Sequence, residues 1–333
     1  MDKDRIVAWF CTYTPLEMLD AAGLIPSRHF GDPQILESAD ALLHPAICPY
    51  ARACLAHELK ADGPHHALFI NSCDAMRRLY DTWKDAFSGD FIYLMDLPRN
   101  QDGGGERMLA EEMKHLAAAL RERWGVTITS RELLRACVRR EESRLAYLDS
   151  TRGAGGGERL RSAMRLHTGL EAGDDSDGER TRGGTAGTPI LLTGNLLNPE
   201  GLVTWLERAG ARVVWTDLCN GDRAFCSSTM AEGEDMDELL ASLSAAYLER
   251  HPCARMSDSS RRYDLLVETT RRVGARGIVY ASLKFCDSYL YDYPLVEDRL
   301  KEEGIPVLRL ESDYTDGHVG QLMTRIEAFL EMI

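Results

Sequence analysis

Cysteine is the residue type whose number and placement in this sequence point most directly to chemistry. The chain has 333 residues and nine cysteines. Four of them close short apolar runs: Cys11 in IVAWFC, Cys73 in ALFINSCD, Cys219 in RVVWTDLC and Cys286 in GIVYASLKFCD. Thiolates are the ligands that iron–sulfur clusters and other soft metal centres prefer. The four thiols therefore suggest a metal cluster built where these runs end.

The apolar runs themselves have the character of β-strands. Short apolar segments that are bounded by polar or glycine-rich turns and separated by helical patterns are typical of buried parallel strands. Strand and helix patterns alternate along the whole chain, which predicts an α/β fold of two doubly wound, flavodoxin- or Rossmann-like domains. Ligands of such sheets bind in the crevice at the carboxyl ends of the strands. The strand-end thiols are expected to meet there.

The length and local composition predict where the domains lie. A chain of 333 residues is longer than a single hydrophobic core usually supports. We expect an N-terminal α/β domain with connecting helices at residues 1–150 and a C-terminal α/β domain at residues 189–333. Residues 151–188 are rich in glycine and charge, as in GLEAGDDSDGERTRGG. Such a composition predicts a flexible linker or loop.

Charge and hydropathy exclude several classes of partner. The net charge of -14 argues against nucleic acid, because phosphate binding needs clustered lysine and arginine. No run approaches the ~18 apolar residues of a membrane span, and the N-terminus lacks the apolar core of a signal peptide. We therefore expect a cytoplasmic protein without a membrane partner. Since the cytosol keeps thiols reduced, metal or redox chemistry explains nine cysteines better than disulfides do.

The remaining cysteines differ in their surroundings. Cys48 precedes Pro49, a residue suited to the first turn of a helix, so Cys48 is predicted at a helix N-terminus, where thiolates are favoured. Cys54 would then lie on roughly the opposite side of the same helix. Cys137 lies inside a long helical pattern and is interpreted as a packing residue. Cys226 and Cys253 fall in predicted loops.

Several stretches together resemble the superfamily of 2-hydroxyacyl-CoA dehydratases and benzoyl-CoA reductases. The similarity covers about residues 5 to 100 and 189 to 333 and fades between them. The stretches are FCTYTPLEMLDAAGLIPSR, CPYARACL, NSCDAMRRLYDTWK, DLCNGDRAF, SLKFCDSYLYDYPLVEDRLKEEGIPVLRLESD and GQLMTRIEAFLEMI. The resemblance implies an iron–sulfur cluster in the cleft between two α/β domains, with Cys48, Cys73 and Cys286 as its ligands.

The resemblance also implies a function. A [4Fe-4S] cluster on three cysteines would leave one iron without a protein thiolate, and members of the superfamily eliminate water from a 2-hydroxyacyl-CoA by radical chemistry. The electron comes from a separate ATP-dependent iron–sulfur activator, which is an implied partner because this chain has no Walker motif. We therefore expect a dehydratase-like lyase that acts on an acyl-CoA. A homodimer and a heterodimer with a related subunit both stay open, and no catalytic residue is assigned.

The additional cysteines keep two alternatives open. The superfamily also contains double-cubane proteins, homodimers in which an [8Fe-9S] cluster takes about six cysteines and small molecules are reduced. Possible additional ligands for such a cluster are Cys54, Cys219, Cys226 and Cys253. The second alternative is a non-enzymatic iron–sulfur electron carrier, in which the cluster would be fully enclosed by protein.

A few charged residues are weaker candidates for supporting roles. Arg223 and Lys284 are positioned in the sequence to offset the charge of a cluster or phosphate. His44, His57 and His318 are candidates for proton transfer, although an isolated histidine is more often structural.

Overall fold

The computed structural model describes residues 2–169, 187–197, 201–315 and 319–333. These residues form two four-stranded sheets surrounded by helices. The strands are β1 (Ile6–Trp9), β2 (Ile25–Arg28), β3 (Ala67–Ile70), β4 (Ile92–Met95), β5 (Thr188–Gly194), β6 (Ala211–Asp217), β7 (Gly277–Leu283) and β8 (Val307–Ser312). No helix of the described residues is both long and apolar enough to cross a membrane.

The helices follow the strands in alternation, as the sequence predicts. They are α1 (Leu16–Ala21), α2 (Pro49–Glu58), α3 (Asp74–Ala86), α4 (Gly103–Trp124), α5 (Ser130–Ser150), α6 (Gly156–Thr168), α7 (Leu202–Arg208), α8 (Met236–Leu248), α9 (Ser259–Arg272), α10 (Asp287–Glu302) and α11 (Val319–Met332). Short 3-10 helices span Lys3–Arg5, Pro33–Ala39 and Asp222–Phe225.

The two sheets have the same topology. The first has the strand order β2-β1-β3-β4 and the second β6-β5-β7-β8, and every pair is parallel. In each sheet the chain changes direction across the sheet between the two central strands, β1 and β3 or β5 and β7. Ligands bind at the carboxyl side of such a switch point. The α/β prediction is confirmed, and the two parallel sheets are consistent with two doubly wound domains.

The strands differ in how far they are buried. Every residue of the central strands β3 and β7 is buried. The edge strands β4 and β8 are only partly buried, and charged residues occur at alternate positions of β8. A strand that is covered on both faces has to be apolar at nearly every position, which explains the unbroken run GIVYASL. The loops that follow β3 and β7 therefore begin at fully buried strand ends.

The two halves of the chain share one continuous core. Buried apolar side chains from both sheets belong to a single packed cluster, and α8 of the second half packs against α4 and α5. Polar contacts reinforce this junction: the hydroxyl of Tyr247 in α8 donates to the carbonyl of Thr14 at 2.9 Å and lies 2.7 Å from the buried Glu17 carboxylate. The loops of the two sheets are thereby held in a fixed mutual arrangement.

The prediction of a linker at residues 151–188 is wrong for its first third. Residues 156–168 form α6, which buries Leu160, Ala163 and His167 and packs against β2 and β6. Gly156 is needed for close approach here, since a Cβ at this position would lie 2.6 Å from the Cβ of Val213. The glycine content was interpreted as flexibility, whereas this glycine allows tight packing. Residues 170–186 lie outside the described part of the chain.

Candidate metal centre

Three cysteines occupy the same structural position on three different helices. Cys48, Cys73 and Cys286 are the N-cap residues of α2, α3 and α10. Pro49 is the first residue of α2, as predicted. The backbone N–H groups and the positive end of the dipole at a helix N-terminus favour negative charge nearby. The helix ends therefore place polar N–H groups beside these three residues, called the outer thiols below.

The outer thiols lie at the base of an open cleft between the halves of the chain. The cleft has a volume of about 760 Å³ and is lined by residues of α3, of α10 and of the loop before α9. Burial, together with the neighbouring thiols of Cys286 and Cys73, raises the pKa of Cys48 to about 12. All three thiols line this cleft although they come from distant parts of the sequence.

A second set of three cysteines lies behind the first. Cys11 and Cys219 follow β1 and β6 by two residues, and Cys253 lies in the loop between α8 and α9. These inner thiols line a cavity of about 50 Å³, and Cys48, Cys73 and Cys286 line the same cavity. Of the six thiols, the open cleft touches the outer ones alone. Six thiols therefore line one cavity.

The arrangement fits a cluster better than a single ion. Among the described residues, no three Cys, His, Asp or Glu side chains come close enough together to hold one metal ion. The six thiols instead line one cavity together, which suits a group with several irons that each take a different thiolate. The donor set consists of soft sulfur ligands, which is the chemistry that iron–sulfur clusters require.

Buried cations accompany the thiols. A guanidinium nitrogen of Arg223 donates to Cys219 Sγ at 3.1 Å, while the same side chain pairs with Asp217 at 3.2 Å. Arg255 donates to Cys253 Sγ at 3.3 Å and approaches Cys286 Sγ at 4.0 Å. Arg28 lines the cavity and donates to the carbonyl of Cys219 at 2.7 Å. Two arginines thus line the cavity, and a third contacts one of its thiols while it pairs with Asp217.

Polar atoms in the cavity wall also lack partners. The Nε atoms of Arg28 and Arg255 and the Oδ1 atom of Asn195 are buried without a hydrogen bond among the described residues. Buried polar groups are rarely left unpaired in a protein unless a ligand, ion or water completes them. These atoms fit a polar, anionic occupant of the cavity.

Comparison with known proteins agrees with this geometry. The model of the family described as 2-hydroxyglutaryl-CoA dehydratase, D-component, matches residues 11–333. The chain belongs to this family. Its relatives include one of the subunits of the benzoyl-CoA reductase of Thauera aromatica, which is 23% identical over 99% of this chain and 91% of the relative.

Two further relatives are dehydratase subunits. Lactoyl-CoA dehydratase subunit beta of Anaerotignum propionicum is 24% identical over 96% of this chain and 90% of the relative. The beta subunit of (R)-2-hydroxyglutaryl-CoA dehydratase of Acidaminococcus fermentans is 22% identical over 96% of this chain and 90% of the relative. Since these matches run along nearly the whole chain, both halves and the cysteine cavity between them lie within the region of similarity.

The family resemblance implied Cys48, Cys73 and Cys286 as ligands, and the structure brings these three together. Of the possible additional ligands, Cys219 and Cys253 line the cavity. Cys54 and Cys226 do not: the Cys54 thiol contacts the carbonyl of His29 at 3.8 Å and the Cys226 thiol contacts that of Asp222 at 3.2 Å. Both thiols make local backbone contacts away from the cavity.

Cys11 belongs to the cavity although sequence reasoning left it out of the proposed ligand set. The signal was present, because IVAWFC ends in a thiol as the other apolar runs do. Arg28 and Arg255 were also missed, since neither lies in a recognisable motif. Of the two cations that were considered, Arg223 contacts a cavity thiol, whereas Lys284 pairs with Asp313 at 3.7 Å near the protein surface.

The inner thiols interact with one another and with an aromatic hydroxyl. The hydrogen bond with Cys219 is the largest of several causes that lower the pKa of Cys253 well below its usual range, and Arg255 and Arg223 act in the same direction. The hydroxyl of Tyr289 lies 3.6 Å from Cys253 Sγ and accepts a hydrogen bond from Arg223 at 2.7 Å. Cys253 is therefore the inner thiol most strongly disposed to be a thiolate.

The histidine candidates do not reach the cavity. His44 and His57 are both exposed, and neither lines the cavity or the cleft. His318 lies outside the described residues.

Proposed function

We propose that this chain is an iron–sulfur redox enzyme whose six cavity thiols hold a double-cubane cluster. The inner thiols Cys11, Cys219 and Cys253 would hold one cubane and the outer thiols Cys48, Cys73 and Cys286 the other. The bound cluster would supply electrons at low potential for the reduction of a small molecule. The observation that carries this proposal is the joint placement of six cysteines from both halves of the chain around one cavity.

The number and division of the thiols support two cubanes. A cubane that has three cysteine ligands keeps one iron free for a further ligand. Two such cubanes can share a bridging sulfide through their free irons, which accounts for all six thiols of the cavity. Arg28, Arg223 and Arg255 would offset the negative charge of the assembly. The protein would thereby satisfy both the ligand number and the charge of the larger cluster.

The chain would need an external source of electrons. Its sequence contains no Walker motif and so offers no ATP site of that type. We propose that a separate ATP-dependent iron–sulfur activator reduces the cluster. The open cleft at the outer thiols offers a route for this partner or for a substrate to approach.

A second candidate function is that of a 2-hydroxyacyl-CoA dehydratase subunit. The outer thiols alone would then hold a [4Fe-4S] cluster, and its free iron would face the cleft. The size of the cleft, about 760 Å³, favours this candidate because it lies in the range of small-molecule sites. Relatives that are named as subunits of larger enzymes support a heterodimer with a related chain for this form.

An activity comparison tests both candidates. The chain is purified without oxygen, loaded with iron and sulfide, and supplied with electrons by an ATP-hydrolysing iron–sulfur reductase. Lactoyl-CoA and acetylene are then offered as alternative substrates, with a Cys286→Ala chain as the inactive control. ATP-dependent reduction of acetylene by the chain alone supports the reductase. Elimination of water from lactoyl-CoA that needs a second subunit supports the dehydratase, and activity equal to that of the control in both assays contradicts both.

A further inference from the structure

Arg255 is the cation that contacts both sets of thiols. One terminal nitrogen of its guanidinium donates to Cys253 Sγ of the inner set at 3.3 Å. The other approaches Cys286 Sγ of the outer set at 4.0 Å. Arg255 also lines both the enclosed cavity and the open cleft. The side chain therefore lies at the junction between the two halves of the proposed cluster site.

The charge of Arg255 has no carboxylate counterpart in the described residues. None of the ion pairs among them involves Arg255, and its Nε atom is buried without a hydrogen-bond partner. A cation that is taken out of water without an anion is strongly unfavourable. The nearest candidates for its anion are the sulfur atoms of Cys253 and Cys286 and whatever these sulfurs bind.

Arg262 provides an internal comparison. Its guanidinium lies 5.6 Å from the ring centre of Tyr289, and that of Arg255 lies 5.9 Å from the same ring. Arg262, however, lies 3.3 Å from a carboxylate oxygen of Asp292 and contacts no thiol among the described residues, although none of its guanidinium nitrogens makes a hydrogen bond among them. Three arginines lie over this one ring, and Arg262 and Arg223 each pair with a carboxylate, whereas Arg255 contacts sulfur alone. The difference in their partners indicates that the charge of Arg255 is available to an anion that the protein chain does not supply.

We propose that Arg255 is a positioning residue that provides the counter-charge of the cluster and raises its reduction potential. This inference rests on the proposed function. A fixed positive charge beside the sulfur ligands stabilises the reduced, more negative form of a cluster more than the oxidised form. Because Arg255 contacts a ligand of each cubane, its charge acts on both. Electrons from the activator would then be accepted more readily.

The test is a measurement of the midpoint potential of the loaded cluster by redox titration followed with EPR. In Arg255→Gln we expect the ratio of reduced to oxidised cluster at a fixed potential to fall about tenfold or more, which is a shift of about 59 mV for one electron. Arg255→Lys keeps the charge and should stay close to the wild-type potential. The matched control is the double variant Arg262→Gln with Asp292→Asn, which removes the neutral pair on the same ring and should leave the potential unchanged.

The iron content of each variant is measured first and separates the different failures. A wild-type chain that holds no iron contradicts the proposed function itself. If the wild type holds a cluster and Arg255→Gln has the wild-type potential, the proposed function stands and the role of Arg255 is overturned. A potential in Arg255→Lys that falls as far as in the glutamine variant also overturns it. Should Arg255→Gln fail to take up iron, normal uptake by Arg255→Lys supports the charge requirement and loss of uptake in both contradicts it.

Discussion

The outer and inner thiols are built from the same residue type by different local structures. Cys48, Cys73 and Cys286 each cap a helix, and each faces the open cleft. The inner thiols come from loops and take their electrostatic environment from arginine and tyrosine side chains instead. Helix N-termini favour anions without any charged side chain, whereas a loop needs one. The comparison shows that the groups facing the thiols are mainly backbone N–H groups in one region and side chains in the other.

The largest effect is expected from the outer set. Cys286→Ala should remove at least half of the bound iron, because it deletes a ligand of the outer cubane that also lines the cleft and lies beside Arg255. Iron per chain after anaerobic loading measures the effect. Cys137→Ala is the matched control, since Cys137 is a buried packing residue of α5 away from the cavity. Equal iron content in the two variants would show that the ligand assignment is wrong.

A smaller effect should follow from the inner set. Cys253→Ser and Cys11→Ser should each lose about half of the bound iron, because the outer thiols still provide three ligands for one cubane. Cys226→Ser serves as the control, since its thiol contacts a backbone carbonyl outside the cavity. If the inner variants keep all of their iron, the inner thiols are not cluster ligands and the single-cubane form is correct.

The close packing of the backbone at the end of β5 can be tested through folding stability. Gly194 ends β5 and precedes Asn195, which lines the cavity together with Cys286. Its φ is 156°, and a Cβ there would lie 1.8 Å from the carbonyl oxygen of Ala281. Gly194→Ala should therefore lower the free energy of unfolding of the iron-free chain by roughly 1–3 kcal/mol, as overpacking does.

The control for this change is Gly320→Ala, in a helix where a Cβ meets no atom of the described residues within 4 Å. It should raise stability by up to about 1 kcal/mol, because alanine favours helix. Urea unfolding of both variants provides the measurement. A Gly194→Ala chain as stable as the wild type would mean that the end of β5 can move and that the cavity wall beside it is not rigid.

The buried His167, which lies beside Arg28 of the cavity wall, should give the stability a pH dependence. His167 is buried beside Trp9 and Arg28, and burial, followed by Arg28, Arg250 and Arg140, lowers its pKa well below the ordinary value of 6.5. Above that value the ring is neutral in both states and contributes no pH dependence. As the pH falls below it, the unfolded chain binds a proton that the folded chain does not, so stability decreases by at most about 1.4 kcal/mol per pH unit.

Urea unfolding of the iron-free chain between about pH 7 and pH 5, a range that spans the ordinary histidine pKa, measures this slope. His167→Gln should reduce the slope, and His115→Gln should not, because the His115 side chain is 67% exposed. A slope that is the same in His167→Gln and in the wild type would show that His167 does not stay neutral in the folded chain.

The outer thiols were predictable from sequence because they follow a local pattern. An apolar strand, a cysteine and an amphipathic helix occur in one continuous stretch at Cys73 and at Cys286, and Pro49 indicates the helix start after Cys48. Sheet topology then brings the strand ends together. Most of the strands were predictable for the same reason, since they are short apolar runs between polar turns, whereas β2 has the sequence IPSR and is not such a run.

The inner side was less predictable because its contacts are long-range. Arg28, Arg255 and Cys253 lie in loops or at a strand end, and only tertiary packing places them beside Cys11 and Cys219. A cysteine close to a cavity cysteine in the sequence can also lie outside the cavity. The thiols of Cys54 and Cys226, for example, contact backbone carbonyls.

The helix α6 was missed for a different reason. Gly156 packs closely against Val213, a role that composition alone does not distinguish from flexibility. Glycine supplies both conformational freedom and close approach, and only the residue that it meets in the folded chain decides which of the two is used.

The most direct test of the account is the iron and sulfide content of the wild-type chain after anaerobic purification and reconstitution. The six-thiol cavity predicts about eight irons and about nine sulfides per chain, divided between the outer and inner thiols. About four irons per chain, the content of one cubane, would contradict the double cubane and leave the outer thiols as the whole site. Negligible iron after careful reconstitution would contradict the cluster altogether.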